Sequence, residues 1–277
     1  MSGKNMSGKS NGSSEVGGPL RLLLRGFKLK GFVDNYPLVA EQADKAGMSY
    51  EAFLYELSKV EADERRDRRV DRLRKQSGLP REKRLDSFDF DRVPSVPKRL
   101  VQSLCDGSFL DRAENLLGFG GPGTGKSHLF WGIGHELVSR GRSVLAMPAY
   151  ALVQRLVAAK RALRLPQELK RLDRFEALII DDLGYVQQER EEMDVIFTLF
   201  AERYERRSML ITSNLVFSKW DQIFKDAMTT AAAIDRLVHH ARILELNVDS
   251  YRAEKAHDRR RKSGQTADAK QVEEVKA

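Results

Sequence analysis

The sequence predicts an α/β protein: a five-stranded parallel sheet covered by helices, preceded by a small helical domain. Three observations lead to this prediction. From Glu114 onward, short apolar runs typical of buried strands alternate with longer stretches typical of helices. A match to G-x-x-x-x-G-K-[ST] stands between the first of these strands and the first helix. A later apolar run ends in two adjacent aspartates, where a central parallel strand would end.

The chain begins with a segment of low complexity. Residues 1–27 are predicted to be a flexible tail, because Ser, Gly, Lys and Asn dominate its first part and Met-Ser-Gly-Lys occurs twice there. Residues 28–75 are predicted to form a helical domain, with one helix over 33–46 and a second over 49–75, broken at Gly47.

Two functions are open for this pair of helices. A short Gly turn between helices is typical of a helix-turn-helix, whose second helix enters a DNA groove. The other possibility is a pair of helices used for self-association or for docking a partner protein. Mixed charge from Glu61 to Arg74 favours a solvated, ion-paired helix over a surface that binds only phosphate.

A Pro-containing connector over residues 76–110 leads into the α/β domain, predicted over 111–255, and Phe88-Asp89-Phe90 is expected to anchor the connector there. The alternation predicts right-handed crossovers between parallel strands. Strands are predicted near residues 115–119, 143–147, 177–181, 208–212 and 242–246. Helices are predicted near residues 126–139, 149–162, 190–206 and 226–239. Residues 256–277 are charged, poor in large apolar residues and predicted to be a second flexible tail.

The Gly-rich match lies in the strand–loop–helix context of a P-loop. Its glycines let the backbone turn tightly and present N–H groups to phosphate oxygens, and the N-terminus of the following helix adds partial positive charge. Lys126 is expected to bridge the β- and γ-phosphates, and the Ser127 hydroxyl to ligate Mg²⁺. The residues expected to bind nucleotide are Gly120, Gly121, Pro122, Gly123, Thr124, Gly125, Lys126 and Ser127.

Paired carboxylates at the end of the third strand supply the second part of such a site. Asp181 is expected to hold Mg²⁺ directly or through water, and Asp182 to orient or deprotonate the attacking water. Many P-loop ATPases carry Glu at the second of these two positions. The side chain of Asp182 is one methylene shorter, which predicts slow hydrolysis or hydrolysis that requires a partner.

Two further polar residues follow in the same series. Asn214, at the end of the fourth strand, is expected to hold the nucleophilic water or touch the γ-phosphate, although Asn is also common at strand ends. Arg236 lies among apolar residues of the last helix. It pairs locally with Asp235 or Glu245, or it reaches a neighbouring subunit's γ-phosphate.

The ordered set of motifs resembles the IstB type of AAA+ ATPase, the transposition helper proteins of insertion sequences, which are related to the DnaC helicase loaders. The resemblance covers about residues 28 to 255. The Walker motifs specify only the superfamily, whereas Asp-Arg-Leu-Val-His-His-Ala and Asp-Ser-Tyr-Arg are more particular to the transposition branch.

This resemblance implies the AAA+ strand order 5-1-4-3-2, no separate lid domain, and an ATP-dependent homo-oligomer that clamps duplex DNA and directs a transposase to its target. It puts Arg236 at the arginine-finger position, acting in trans on a neighbour, and Arg252 near a second sensor arginine that contacts nucleotide. The cofactors implied are ATP and Mg²⁺.

Composition agrees with an anionic partner. The 48 Lys and Arg against 40 Asp and Glu give a net charge of +8, which favours largely sequence-independent binding of double-stranded DNA. The single cysteine, Cys105, excludes an internal disulfide and is consistent with the bacterial cytoplasm. No segment reaches transmembrane length, so no membrane partner is expected. The five histidines show no metal-ligand spacing, and the helical neighbours His239 and His240 are expected to diverge.

The sequence and its family resemblance therefore predict an ATPase that binds DNA and helps insertion-sequence transposition. A DnaC-like helicase loader would share its catalytic residues and dock on a helicase through the N-terminal helices. An ATP-gated scaffold without meaningful turnover is the alternative from another class, and the Asp at position 182 is compatible with it.

Overall fold

The structure, a computed structural model, describes residues 12–185, 190–220, 227–248 and 250–251. The chain divides into two compact units, Met1–Asp71 and Arg72–Ala277. The boundary falls inside a long helix, four residues before the end predicted for the helical domain. Within the described ranges, no helix combines the length and the apolar character that spanning a bilayer requires.

The first unit is helical. Helix α1 covers Gly12–Gly26, α2 covers Lys30–Ala46, and α3, which continues into the second unit, covers Tyr50–Gln76. The prediction of a flexible tail over 1–27 is wrong for residues 12–26, which form a helix that contacts α2, with Leu20 and Leu24, one turn apart, partly buried. The break predicted at Gly47 is present, with Gly47 in the left-handed conformation (φ 60°) closing α2.

Helices α2 and α3 meet at a close backbone approach. The buried Glu61 of α3 accepts hydrogen bonds through Oε2 from the backbone N–H groups of Gly31 (2.6 Å) and Phe32 (3.4 Å), at the start of α2. A Cβ on Gly31 would lie 2.9 Å from the Glu61 Cα, so only glycine fits there. Burial raises the pKa of Glu61, but hydrogen bonds from Arg65 and these amides outweigh burial and leave the pKa below its usual value.

The second unit is a parallel sheet between two layers of helices. Its strands are β1 Asn115–Phe119, β2 Val144–Pro148, β3 Ala177–Asp181, β4 Ser208–Ser213 and β5 Ala241–Glu245. Its helices are α4 Lys98–Leu104, α5 Ser108–Asp111, α6 Lys126–Ser139, α7 Ala149–Arg161, α8 Leu165–Leu172, α9 Arg190–Arg203 and α10 Ala227–Val238. The strand order is β2-β3-β4-β1-β5, which confirms the predicted order 5-1-4-3-2.

Alternate side chains of the central strands enter two separate cores, as the two-residue period of a strand requires. In β3, Leu178 and Ile180 pack with α7, α9 and α10, whereas Ala177 and Ile179 pack with α4, α5 and α6. Helix α6 therefore covers one face of the sheet and α10 the other. Burial on both faces explains why these strands read as continuous apolar runs.

The segment predicted as a connector is a structural part of the second unit. It contains a short 3-10 turn at Leu85–Ser87 and helix α4, and the side chains of Val93, Val96 and Val101 are fully buried in the α6 core. Phe88 and Phe90 pack against the same core, which confirms their predicted anchoring role.

Helix α8, before β3, was not predicted, because its eight residues are too few to show a clear period. Its end is tied to the rest of the unit by Arg203, whose fully buried guanidinium donates to the carbonyls of Leu172 (3.0 Å), Phe175 (3.1 Å) and Ser208 (2.9 Å). Burial lowers the pKa of Arg203 to about 10. This side chain fixes the turns at the end of the sheet where the strands begin.

Candidate functional site

The register of the sheet brings the three predicted site segments to one edge. Phe119 of β1 pairs with Ser213 of β4, and Ile180 of β3 pairs with Ile211 of β4. The strands are parallel, so the loops that follow them leave at their common carboxyl edge. The Gly-rich loop, the paired aspartates and Asn214 therefore lie together, as predicted.

The Gly-rich loop has the backbone conformations that its glycines were predicted to supply. Gly120, Gly123 and Gly125 have φ of 154°, 79° and 98°, in the region that side chains disfavour. A Cβ on Gly120 would lie 2.5 Å from the backbone oxygen of Leu246, so the loop is held against the chain leaving β5. Beside it lies a polar hollow of about 360 Å³ lined by Gly121, Leu246, Asn247 and Val248.

Helix α6 begins at Lys126, directly after the loop, so its N-terminal amides face the same space. The Lys126 ammonium donates to the backbone oxygens of Gly120 (2.9 Å) and Gly121 (2.8 Å), and the Thr124 hydroxyl donates to the latter at 3.0 Å. The half-buried Ser127 follows as the second residue of the helix. These are the positions from which the P-loop groups were predicted to meet phosphate and metal.

Thr212 organises the two aspartates. Its fully buried hydroxyl donates to Oδ1 of Asp181 at 2.6 Å and accepts the backbone N–H of Asp182 at 2.9 Å. Asp181 is buried, and Asp182 has a left-handed φ of 58°, which is strained for a residue with a side chain. This conformation turns the chain directly after β3, and the Thr212 hydroxyl holds the turn through the Asp182 N–H. Thr212 was not predicted as a site residue, because in the sequence it is one of three polar residues in the strand.

Asn214 follows β4 and faces the chain just after Asp182. Its Oδ1 is buried and, among the described residues, has no hydrogen-bond partner. A Cβ on Gly184 would lie 2.2 Å from this oxygen, so only glycine at position 184 leaves room for the amide. A buried acceptor without a partner costs free energy unless a water or ligand satisfies it. This arrangement fits a residue that holds a water molecule.

Arg236 lies at the opposite edge of the sheet. The side chain of Asn115, the first residue of β1, donates to the backbone oxygen of Leu237 at 3.0 Å, and the Asn115 N–H donates to that of His240 at 2.7 Å. The end of α10 is therefore beside the start of β1, whereas the Gly-rich loop follows the end of β1. Five residues of strand separate the two points, about 13 Å at 3.3 Å per step.

The Arg236 guanidinium stacks on Phe197 of α9, 4.4 Å from the ring centroid. Its Nη1 is buried and has no hydrogen-bond partner in the part of the chain that the structure describes. Neither Asp235 nor Glu245, the local partners considered from the sequence, forms an ion pair with it among those residues.

Two residues beside the Gly-rich loop were also missed. The backbone N–H of Tyr251 donates to the oxygen of Gly123 at 3.1 Å, and the Arg92 guanidinium lies 4.7 Å from the Tyr251 ring centroid. The connector and the Asp-Ser-Tyr-Arg segment thus both reach the loop. Arg252, the predicted second sensor, lies outside the described residues.

The connector also closes on the first turn of α6. Phe88 lies 3.1 Å from where a Cβ on Gly125 would be, and its ring meets the His128 ring edge-on at 5.5 Å. A His128 ring nitrogen lies 2.9 Å from the backbone oxygen of Arg84. Burial lowers the pKa of His128, which the contact with this oxygen partly offsets. The rings of Phe88 and His128 therefore form an aromatic surface beside the Gly-rich loop.

The prediction that His239 and His240 diverge is wrong. They lie in the turn after α10, not within the helix, and their ring centroids are 4.2 Å apart. Both face Glu205, which follows α9. A helical projection does not apply beyond the last helical residue, which is the physical reason for the error.

The donor set at the carboxyl edge fits a nucleoside triphosphate. Backbone amides and one ammonium suit phosphate oxygens. The Ser127 hydroxyl and the Asp181 carboxylate are oxygen ligands of the kind that Mg²⁺ prefers. The unsatisfied Asn214 amide oxygen and the strained Asp182 lie where a water could be held.

Comparison with known proteins agrees with this chemistry. Residues 23–259 match the family model described as IstB-like ATP binding protein. A protein of Sinorhizobium fredii named as an insertion sequence ATP-binding protein is 43% identical over 249 residues, which cover 90% of this chain and 84% of that protein. The protein of Pseudomonas aeruginosa named as the ATP-binding protein of insertion sequence IS21 is 36% identical over 233 residues, 84% of this chain and 88% of its own length.

Among solved structures, the crystal structure of a DNA replication initiation factor matches with a TM-score of 0.50 and 18% identity. The match covers 68% of this chain and 56% of that one. At this low identity the comparison shows a similar fold and nothing about function.

Proposed function

The chain belongs to the IstB-like ATP-binding protein family, and from this premise we propose that it is an ATPase that helps insertion-sequence transposition. In this proposal it assembles as a homo-oligomer on duplex DNA, with ATP and Mg²⁺ bound, and recruits or stimulates a transposase. The observation that carries the proposal is the meeting of the Gly-rich loop, the Asp181–Thr212–Asp182 arrangement and the unsatisfied Asn214 amide at one edge of the sheet.

Each group has a role that follows from its position. Lys126 leaves the loop carbonyls and binds the β- and γ-phosphates, to which its charge is better matched. Ser127 and Asp181 hold Mg²⁺, which neutralises the charge of the phosphates when bound. Asp182 orients or deprotonates the attacking water, and Asn214 fixes that water through Oδ1. Arg252 is proposed to contact the nucleotide from the segment that begins at Tyr251, whose backbone hydrogen-bonds the loop.

Arg236 is proposed to act on the γ-phosphate bound by a neighbouring subunit. Its helix end lies beside the start of β1, so the whole strand separates it from its own loop, further than an Arg side chain extends. In the single chain the guanidinium stacks on Phe197, and its buried Nη1 has no hydrogen-bond partner among the described residues. In the assembly the side chain is proposed to turn outward, where it gains the neighbour's phosphate as an acceptor. A guanidinium supplied in trans stabilises the charge of the transferred phosphoryl group.

A mixing experiment tests this function. Lys126→Ala should lose nucleotide affinity, and Arg236→Ala should bind ATP but not hydrolyse it. Mixed together, the two should recover part of the activity, because some interfaces pair an intact pocket with an intact Arg236. The wild-type rate should rise faster than linearly with protein concentration. Arg206→Ala is the matched control, since Arg206, just before β4, also lies at the edge where the strands begin but pairs with Asp173 at the surface.

A mixture that stays inactive although the two variants co-assemble on a sizing column would contradict the trans role. Asp182→Ala separates the ATPase from a scaffold without turnover: it should retain ATP binding, lower hydrolysis and keep the assembly on DNA. If wild-type hydrolysis is absent even with DNA and transposase, the scaffold alternative is correct.

The proposed DNA binding is tested separately, by fluorescence polarisation. A net charge of +8 and an assembly on duplex should give binding that tolerates any sequence, strengthens with ATP and weakens steeply with salt. Equal affinity with and without ATP, or at low and high salt, would contradict it. Transposase recruitment is measured as co-retention of the purified transposase on immobilised DNA only when this protein and ATP are present.

A further inference from the structure

A cluster of potential metal ligands lies at the edge of the sheet opposite the nucleotide site. His239 Nδ1 and His240 Nε2 each lie 3.6 Å from Oε1 of Glu205. All three ligand atoms are within 4.8 Å of one another. Each side chain is about half exposed, so an ion from solution can reach the cluster.

These distances are close to those that a tetrahedral ion imposes. Zn–N bonds of about 2.05 Å and Zn–O bonds of about 2.1 Å place neighbouring ligand atoms about 3.4 Å apart. The two nitrogen–oxygen separations here are 3.6 Å. Because the rings are exposed, small rotations about their side-chain bonds would bring the nitrogens closer together. Two imidazoles and one carboxylate are a common set of three protein ligands for zinc.

The backbone around the cluster is fixed. Glu205 has a left-handed φ of 55°, an uncommon conformation for Glu, which surrounding contacts must maintain. Its turn is closed by hydrogen bonds from the N–H groups of Arg206 and Arg207 to the backbone oxygen of Arg203. The side chain of Arg203 is buried and holds the neighbouring turns through its own hydrogen bonds. On the other side, the His239 N–H donates to the oxygen of Asp235 at 3.0 Å.

An ion pair is the simpler explanation of the contacts, but it does not suit two rings. Each imidazole must be protonated to pair with a carboxylate, and two cationic rings whose centroids are 4.2 Å apart repel each other. One carboxylate cannot neutralise both. A divalent ion removes this conflict, because it binds both rings in their neutral form. The Tyr204 hydroxyl, 3.0 Å from His239 Nδ1, would be displaced or would approach the ion.

We propose that Glu205, His239 and His240 bind a divalent transition-metal ion of the Zn²⁺ class, with a fourth position open to water or to a group from a partner. The site excludes Mg²⁺, which prefers oxygen ligands in octahedral geometry. The ion links the end of α9 to the end of α10, the helix that carries Arg236. Through this link it would stiffen the presentation of Arg236, a consequence that rests on the proposed function, whereas metal binding itself does not.

Binding is measured on the full chain without nucleotide, by competing Zn²⁺ away from a chromophoric chelator in the presence of millimolar Mg²⁺. We expect a single Zn²⁺ per chain and an affinity that falls at low pH, since the ligands must be deprotonated. Co²⁺ at the same site should give the intense visible absorption of a tetrahedral complex. His239→Ala, His240→Ala and Glu205→Gln should each weaken Zn²⁺ by at least about tenfold, because even groups outside the ligand set are worth that much.

Two variants are matched controls. Glu202→Gln removes a carboxylate of similar exposure at the end of α9, and His257→Ala removes an imidazole outside the described residues. Both should bind Zn²⁺ like the wild type. Melting curves with chelator present check that each ligand variant is folded, and Glu205→Gln remains informative if a histidine variant is not. Wild-type protein that does not bind Zn²⁺, or three ligand variants that bind it unchanged, would overturn the proposal.

Discussion

Thr212→Val tests whether one hydroxyl sets the geometry of both aspartates. The substitution keeps the shape of a fully buried side chain and removes the group that donates to Asp181 and accepts from Asp182. We expect a protein that folds but is destabilised. The Asp181 carboxylate oxygen and the Asp182 N–H both remain in the protein, but each loses its hydrogen-bond partner.

The size of the effect follows from the two hydrogen bonds. A bond to an ionised carboxylate contributes about 1.5 to 3 kcal/mol, and one between neutral groups about 0.5 to 1.5 kcal/mol, so the sum is about 2 to 4.5 kcal/mol. Exposure does not reduce this figure, since Thr212 is 0% exposed and Asp181 6%. For a unit of about 200 residues, this corresponds to a melting temperature lower by about 4 to 18 °C.

The assay is thermal and urea unfolding without nucleotide and with EDTA, so that metal binding does not contribute. Thr212→Ser is the control: it retains the hydroxyl and loses one methyl group, which costs about 1 kcal/mol. The difference between the two variants isolates the hydroxyl. If the Val variant unfolds within about 1 kcal/mol of the wild type, or if the Ser variant is as unstable as the Val variant, the reasoning from these hydrogen bonds is wrong.

Three further substitutions test other contacts. Gly184→Ala puts a Cβ 2.2 Å from the Asn214 amide oxygen; ATP affinity, measured by calorimetry, should persist while turnover falls about tenfold or more. Gly31→Ala should destabilise the first unit by about 1 to 3 kcal/mol in circular-dichroism melting and leave ATP binding unchanged, because its Cβ meets the Glu61 backbone. Burial raises the pKa of Glu176, but the amide and guanidinium groups bonded to it outweigh burial and leave the pKa below its usual value. Its stabilising effect is therefore present above the unfolded-state pKa and lost as the pH falls below that value and through the folded-state pKa. In urea titrations carried from neutral pH to well below the unfolded-state pKa, Glu176→Gln should lose less stability than the wild type.

The nucleotide edge could be predicted from the sequence because its signals are local. Each of its three segments can be identified from the residues next to it in the sequence. These segments are the Gly-rich loop, the apolar run that ends in Asp181-Asp182 and the strand that is followed by Asn214. Parallel strands put all such ends at one edge. The order of the strands is not local: it came from the family resemblance, and the observed order β2-β3-β4-β1-β5 agrees with it.

Tertiary contacts explain what could not be predicted. Helix α1 begins in a Gly- and Ser-rich segment and contacts α2, and a contact between two helices cannot be predicted from the composition of one of them. Thr212 is an ordinary strand residue until its neighbour strand presents Asp181. The convergence of His239 and His240 depends on where α10 ends, and helix ends are the least predictable feature of a pattern.

The two edges of the sheet also constrain how subunits would assemble under the proposed function. If Arg236, beside the start of β1, serves a neighbour's Gly-rich loop, beyond the end of β1, then the interface must join opposite edges of two sheets. Where the two edges belong to separate surfaces, the contact is heterologous, and it generates a ring when the rotation closes and a helical filament when it does not. A two-fold dimer meets the same requirement only if one self-complementary surface carries both Arg236 and the Gly-rich loop, since each residue then meets the other in the partner. In every such assembly the isolated subunit lacks the guanidinium, so an ATPase that is fully active as a monomer is incompatible with the trans role, whatever the DNA bound to it.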